Sequence, residues 1–96
     1  MALSETAIQG KLRSAPGWEL AKKAIQKRFT FDNFKQALAF VNQVGELAEK
    51  ADHHPDITIN YNKVTLNLST HSAGGLTDKD FDLAGQVEKI GKAESE

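Results

Sequence analysis

The feature that most constrains the fold is a long amphipathic stretch in the middle of the chain. From Asp32 or Asn33 to about Ala51, apolar residues recur three and four positions apart, and polar residues fill the gaps. This spacing places the apolar side chains on one face of an α-helix. The predicted apolar stripe consists of Phe34, Leu38, Val41, Gly45 and Ala48, widened by Ala37, Val44, Leu47 and Ala51. Pro55 closes the helix, because proline disfavours helical geometry at the residue before it.

Alternating segments on both sides of this helix predict β-strands. Residues 24–31 alternate between apolar and polar side chains, and a shorter strand is expected over residues 18–20. After the helix, residues 57–61 and 64–70 alternate in the same way. The break at Asn62-Lys63 between the last two strands predicts a hairpin.

Capping residues predict two further helices near the ends of the chain. Ser4 is a suitable N-cap for a short first helix. Thr77 is the expected N-cap of a last helix, with Asp80 as the carboxylate that reaches back in a capping box. Leu76 and Phe81 flank this start at the spacing of a hydrophobic staple.

The order of elements predicts an α+β domain with the sequence α-β-β-α-β-β-α. We expect a four-stranded, mainly antiparallel sheet, with two long helices and a short N-terminal helix packed on one face. Residues 1–96 are expected to form a single domain, and the tail over residues 92–96 is expected to fray. The other sheet face or an edge strand stays partly uncovered, which makes a homo-oligomer plausible.

Composition narrows the functional classes. Twelve basic and 13 acidic residues give a net charge of −1, so no strong field attracts nucleic acid or an anionic membrane. The absence of cysteine excludes disulfides, iron–sulfur clusters and thiolate zinc sites. No apolar run is long enough to span a bilayer, and the first residues lack the pattern of a secretion signal. A cytoplasmic protein is the default expectation.

The chain's three histidines lie close together in sequence, at His53, His54 and His71. Imidazole is the side chain best suited to moving protons near neutral pH, so the cluster indicates acid–base chemistry. His71 continues the alternate positions occupied by Thr65, Asn67 and Ser69. This alternation predicts that its side chain faces the polar side at the end of a strand. The alternative interpretation is a group of surface histidines without a shared role.

Two carboxylates lie near these histidines in the predicted fold. Glu49 lies one helical turn before His53 and is placed to orient a histidine, although a solvated charge is the simpler interpretation. Asp80 is already explained as a capping residue, and a functional role would be additional. A metal site is disfavoured, because adjacent histidines diverge and no His-x-x-x-His spacing is present.

These residues form a pattern that resembles the signature of the pterin-4a-carbinolamine dehydratases. The matching positions are Glu49, His53-His54-Pro55, Tyr61, His71 and Asp80. Surrounding segments match as well, and the resemblance runs from about Gly17 to about Ile90. A motif of five points with fixed spacing is far more specific than a pair of histidines.

The resemblance implies a dehydration that needs neither a metal nor a cofactor. The substrate would be a tetrahydropterin with a hydroxyl on C4a, formed by an aromatic amino-acid hydroxylase, and the product would be the quinonoid dihydropterin. His53, His54 and His71 would line the pterin pocket and share the proton transfers. Three imidazoles close together titrate as a coupled set, so acid and base are not assigned individually.

The resemblance also implies supporting roles and self-association. Glu49 would support His53, and Asp80 would hold the histidine cluster or the pocket wall. Pro55 and Tyr61 complete the motif as supporting or substrate-binding positions. The sheet would pair with that of a second subunit to give a dimer or a tetramer.

A second function remains open at this point. Relatives in the same family act as dimerisation cofactors of a transcription factor or as assembly proteins. Such relatives can lose the motif histidines, whereas this chain keeps all of them. The complete motif therefore favours the enzyme over a non-catalytic binding protein.

Overall fold

The computed structural model describes residues 2–94, with the side chains of residues 92–94 outside that description. Within this range the predicted order of helices and strands is confirmed. The elements are α1 (Glu5–Arg13), β1 (Glu19–Ala21), β2 (Ala24–Thr30), α2 (Phe34–Ala51), β3 (Asp56–Asn60), β4 (Lys63–Leu68) and α3 (Asp78–Glu94), with a one-turn 3-10 helix over His71–Ala73. The expectation of a frayed tail reaches beyond the described residues. No helix within them is long and apolar enough to cross a membrane.

The four strands form one sheet in the order β1-β2-β4-β3, and every neighbouring pair is antiparallel. The register pairs Ile25 with Leu68 and Phe29 with Val64, so these side chains share one face. All four are buried, and this is the face that the helices cover. The opposite face carries polar residues such as Gln26 and its partner Asn67. The α+β class is confirmed.

Helix α2 supplies the centre of the core through a stripe that differs from the predicted one. Phe40 is fully buried, and its ring centroid lies 4.8 Å from that of Phe29 and 4.9 Å from that of Phe31. Phe34 and Leu38 were predicted to be in the stripe but are 45% and 38% exposed. At 3.6 residues per turn they lie to the side of the line that faces the sheet. That line consists of Ala37, Phe40, Val44 and Ala48.

Lys27 is a charged residue at a core-facing position of β2, and its contacts explain how the fold accommodates it. It shares the core face with Leu66, its partner in the register. Its ammonium group forms an ion pair with Glu88 of α3 and lies 4.8 Å from the ring centroid of Phe29. Trp18 Nε1 donates to the same Glu88 carboxylate at 3.1 Å. A polar bridge therefore ties the start of the sheet to α3.

The hairpin between β3 and β4 turns one residue earlier than predicted. Asn60 pairs with Lys63, so Tyr61-Asn62 forms the turn instead of Asn62-Lys63. Tyr61 takes a positive φ of 54°, a conformation that glycine and asparagine adopt more readily than tyrosine. Asn62 is instead bonded to Phe31. Its side-chain amide donates to the backbone carbonyl of Phe31 at 2.8 Å, and its backbone carbonyl accepts from the backbone amide of Phe31 at 2.8 Å.

Two glycines of α3 provide a test of how tightly this helix packs. A Cβ at Gly91 would lie 2.9 Å from Cε2 of Phe29, whereas a Cβ at Gly85 would meet nothing within 4 Å. Gly91→Ala is therefore expected to lower the free energy of unfolding by about 1 kcal/mol or more through overpacking. Gly85→Ala is expected to raise it by about 0.5–1 kcal/mol, the usual gain in helix propensity. Urea unfolding of both variants measures the difference, and equal effects would contradict this packing.

Candidate active site

One end of the sheet brings the three histidines together. Asp56 at the start of β3 pairs with Asn67 near the end of β4, so the segments before β3 and after β4 adjoin. His53 and His54 belong to the first segment, and His71 belongs to the second. The antiparallel hairpin therefore joins residues that are far apart in sequence at one place in the fold.

His53 is buried against Asp80. Its Nε2 lies 2.5 Å from Oδ1 of Asp80, which is fully buried. The other carboxylate oxygen, Oδ2, accepts from the hydroxyl of Thr70 at 2.9 Å and from the amide of Thr77 at 2.9 Å. The bond from Thr77 confirms the predicted capping box. The same carboxylate also fixes His53, an arrangement that the sequence analysis left open.

The end of α2 sends the two adjacent histidines in different directions. The helix ends at Ala51, and Asp52 takes the left-handed conformation, with φ 50° and ψ 43°. The amide of His53 then donates to the carbonyl of Ala48 at 3.1 Å, a bond typical of a helix C-terminus. This turn directs His53 into the protein and leaves His54 exposed.

Glu49 contacts His54, and the prediction that it supports His53 is wrong. Oε2 of Glu49 lies 2.5 Å from Nε2 of His54, and the two side chains are 77% and 57% exposed. His53 does lie one turn after Glu49 in sequence. However, it lies beyond the helix, where the left-handed residue turns its ring toward Asp80 and brings His54 within reach of Glu49.

His71 is exposed as predicted, although for a different reason. Strand β4 ends at Leu68 rather than Thr70, and His71 starts the 3-10 helix that Gly74 ends with a φ of 74°. Strand parity therefore does not set its direction. Within residues 2–94 the structure gives the imidazole of His71 no hydrogen bond or ion pair, which leaves it available to a ligand.

Two concave surfaces flank the buried His53–Asp80 pair. The first, about 900 Å³, is open and is lined by His54, Pro55 and Glu49 together with residues of α2 and Ile57. The second, about 380 Å³, is lined by His71 and Thr70. Neighbours of the pair line both surfaces, because His53 precedes His54 in the chain and Asp80 bonds to Thr70.

Tyr61 lies away from this cluster within one chain. It occupies the tip of the hairpin and is 64% exposed. The five residues of β3 separate it from Pro55, a distance of about 20 Å along an extended strand. Of the residues in the predicted motif, the others meet at one end of the sheet, and Tyr61 lies at the opposite end.

Thr70 and Thr77 also belong to the site, although neither was predicted from the sequence to do so. Their hydroxyls lie 2.8 Å apart, and both residues bond to Asp80. The sequence did contain an indication of this role. Thr70 continues the alternate positions of β4 whose side chains are buried, and a buried hydroxyl needs a hydrogen-bond partner. Among the described residues, no group of three or more His, Cys, Asp or Glu is arranged to hold a metal ion.

Comparison with known proteins identifies the family. Residues 1–90 match the sequence model of the family described as pterin 4 alpha carbinolamine dehydratase. A protein of Picosynechococcus sp. that is named for the same activity is 57% identical over 88 residues, which cover 92% of this chain and 96% of that protein.

Solved structures agree with this assignment. A transcriptional coactivator/pterin dehydratase from Brucella melitensis is 35% identical with a TM-score of 0.92, covering 95% of this chain and 99% of that one. A pterin dehydratase-like RuBisCO assembly factor of the alpha-carboxysome has a TM-score of 0.67 at 24% identity, covering 78% of this chain and 89% of that one, and shares the fold. The chain belongs to the pterin-4a-carbinolamine dehydratase family.

Proposed function

We propose that the protein dehydrates a 4a-hydroxytetrahydropterin to the quinonoid dihydropterin and water. The observation that carries this proposal is the buried His53–Asp80 pair beside two exposed imidazoles at one end of the sheet. A buried carboxylate fixes the orientation of one imidazole, while the exposed rings of His54 and His71 can contact a bound ring. Family membership supplies the substrate class.

The reaction needs only proton transfers. An acid protonates the hydroxyl on C4a, which leaves as water, and a base accepts the proton of the neighbouring ring nitrogen. The electron pair of that N–H bond forms the new double bond to C4a. His53, His54 and His71 supply both functions without an individual assignment of acid and base, and no metal or cofactor enters this proposal.

The fixed His53–Asp80 pair has a defined part in this scheme. We assign the proton between the two groups to Nε2 of His53, because an ionised carboxylate only accepts hydrogen bonds. The second ring nitrogen of His53 is then oriented by the pair. We assign Asp80 a positioning role, because it is fully buried and reaches the reaction only through His53.

The decisive experiment follows the decay of a freshly generated 4a-hydroxytetrahydropterin with and without the protein. The substrate also dehydrates spontaneously, so the expected result is a decay rate that increases in proportion to protein concentration. Decay at the spontaneous rate over a wide range of protein concentrations would overturn the proposal.

Glu49 offers a test of the contact that the structure assigns to His54. Glu49→Gln is expected to lower the catalysed rate by about threefold to tenfold, because His54 loses the carboxylate that orients its ring. Stability should change by less than about 0.5 kcal/mol, since both side chains are exposed. Stopped-flow measurement of dehydration gives the rate.

Glu46→Gln is the matched control for this variant. Glu46 lies almost one turn earlier on α2, lines the same concave surface and is exposed. The Glu46 substitution removes the same charge, and in the described structure the Glu46 carboxylate forms no hydrogen bond with a histidine. Equal losses in the two variants would indicate a general electrostatic effect and contradict the assigned contact.

We further propose that copies of the chain associate. Phe34 and Leu38 of α2 and Ile59 of β3 are large apolar side chains with 38–45% exposure, and association of two copies would cover apolar surface of this kind. Sedimentation velocity at several concentrations measures the association. A stable complex with another protein, found together with absent pterin turnover, would favour the non-catalytic binding role instead.

A further inference from the structure

The second concave surface contains two lysines that the proposed reaction does not use. Lys22 and Lys23 form the turn between β1 and β2, and together with Ser69, His71 and Gly74 they line the space of about 380 Å³. None of the residues that line it is acidic. This surface is therefore suited to a negatively charged group.

The charges of these lysines are not compensated within the described residues. Lys11 pairs with Asp78, and Lys27 pairs with Glu88. Lys22 and Lys23 are exposed, and in residues 2–94 the structure gives neither of them a side-chain hydrogen bond or an ion pair. Lys22 also has a φ of 59°, a conformation in which glycine or asparagine is more favourable.

The sheet topology places this turn beside the histidines. Ile25 near the start of β2 pairs with Leu68 at the end of β4, so the β1–β2 turn lies at the same end of the sheet as His71. The strand order β1-β2-β4-β3 then places His71 between the lysine turn and the segment of His53 and His54. With strands about 5 Å apart, the turn lies about 12 Å from β3.

We propose that the substrate carries an anionic group on its side chain, a phosphate monoester or a carboxylate, which Lys22 and Lys23 bind. This inference rests on the proposed function, because it takes the pterin ring to lie at the histidines. A substituent on a ring bound there can extend along the concave surface that His71 shares with the lysine turn. The hydroxyl of Ser69, which lines the same space, supplies a further hydrogen bond to the anion.

Equilibrium binding of stable, oxidised pterins tests the inference without requiring turnover. Neopterin and neopterin 3′-monophosphate differ only in the phosphate, and quenching of pterin fluorescence reports their dissociation constants. We expect the phosphate ester to bind about tenfold more tightly at neutral pH and low salt, an advantage that decreases as salt is added. Pteroylglutamate, with carboxylates on its side chain, shows whether the surface prefers carboxylate to phosphate.

The double variant Lys22→Gln/Lys23→Gln should reduce the advantage of the anionic pterin to less than about twofold and leave the affinity for neopterin unchanged. Lys63→Gln is the matched control. It removes an exposed lysine from the opposite end of the sheet, where Lys63 pairs with Thr30. It should preserve the full preference.

Each result is decisive. Equal binding of the neutral and anionic pterins by the unmodified protein, no binding of either, or the same loss of both in the double variant would overturn the inference. Turnover of a neutral carbinolamine is measured separately. A protein that keeps the lysine-dependent preference but shows no turnover would refute the dehydratase and leave the anion site in place.

Discussion

Replacing both His54 and His71 by alanine is expected to lower the catalysed rate of carbinolamine dehydration by about a hundredfold or more. Both imidazoles are exposed at the same end of the sheet, and the proposed reaction needs one group to give a proton and another to accept one. General acid–base catalysis contributes about 10²–10⁴ to enzymatic rates. Each single variant should lose at least about tenfold. The measurement is the decay of the 4a-hydroxytetrahydropterin, corrected for the spontaneous rate.

The fold should survive these substitutions, which keeps the result interpretable. Neither side chain is buried, and the only side-chain hydrogen bond or ion pair that they form within residues 2–94 is that of His54 with Glu49. The free energy of unfolding should therefore change by less than about 0.5 kcal/mol. Unchanged dehydration by the well-folded double variant would remove both histidines from the mechanism.

Asp80→Ala is expected to lower the free energy of unfolding by about 3–5 kcal/mol. The fully buried carboxylate bonds to His53, Thr70 and Thr77, so its removal leaves buried polar groups without partners. The N-terminus of α3 loses its capping box at the same time. Urea unfolding measures the effect, and hydrogen exchange at the start of α3 locates it.

Asp82→Ala is the control for the Asp80 variant. Asp82 belongs to the same helix, is exposed and is two residues away, so its removal should cost less than about 0.5 kcal/mol. Similar destabilisation by both variants would mean that the buried network contributes little. Dehydration by the Asp80 variant, measured on its folded fraction, should also decrease, because His53 is no longer held in one orientation.

Much of the fold could be predicted because its main elements follow local rules. The amphipathic period of α2, the alternation of the strands and the capping box at Asp80 each depend on residues close together in sequence. The histidine cluster was also visible in the sequence. The histidines lie at one end of the sheet because β3 pairs with β4 in the antiparallel direction.

The details that sequence reasoning missed depend on tertiary contacts. The direction of His53 is set by the left-handed Asp52 and by Asp80, which lies 27 residues after His53 in the chain. Glu49 bonds to His54 for the same reason. The positions of the hairpin turn and of the buried stripe of α2 were decided by the Asn62–Phe31 contacts and by the packing of Phe40.

The capping box at the start of α3 couples chemistry to folding. Because Asp80 closes the helix N-terminus and holds His53 through the same carboxylate, opening that helix end would release the imidazole as well. The residues in this network come from the exit of α2, the end of β4 and the start of α3. A fragment or intermediate in which α3 has not docked therefore lacks the His53–Asp80 contact, and the proposed dehydration should be recovered only when α3 docks.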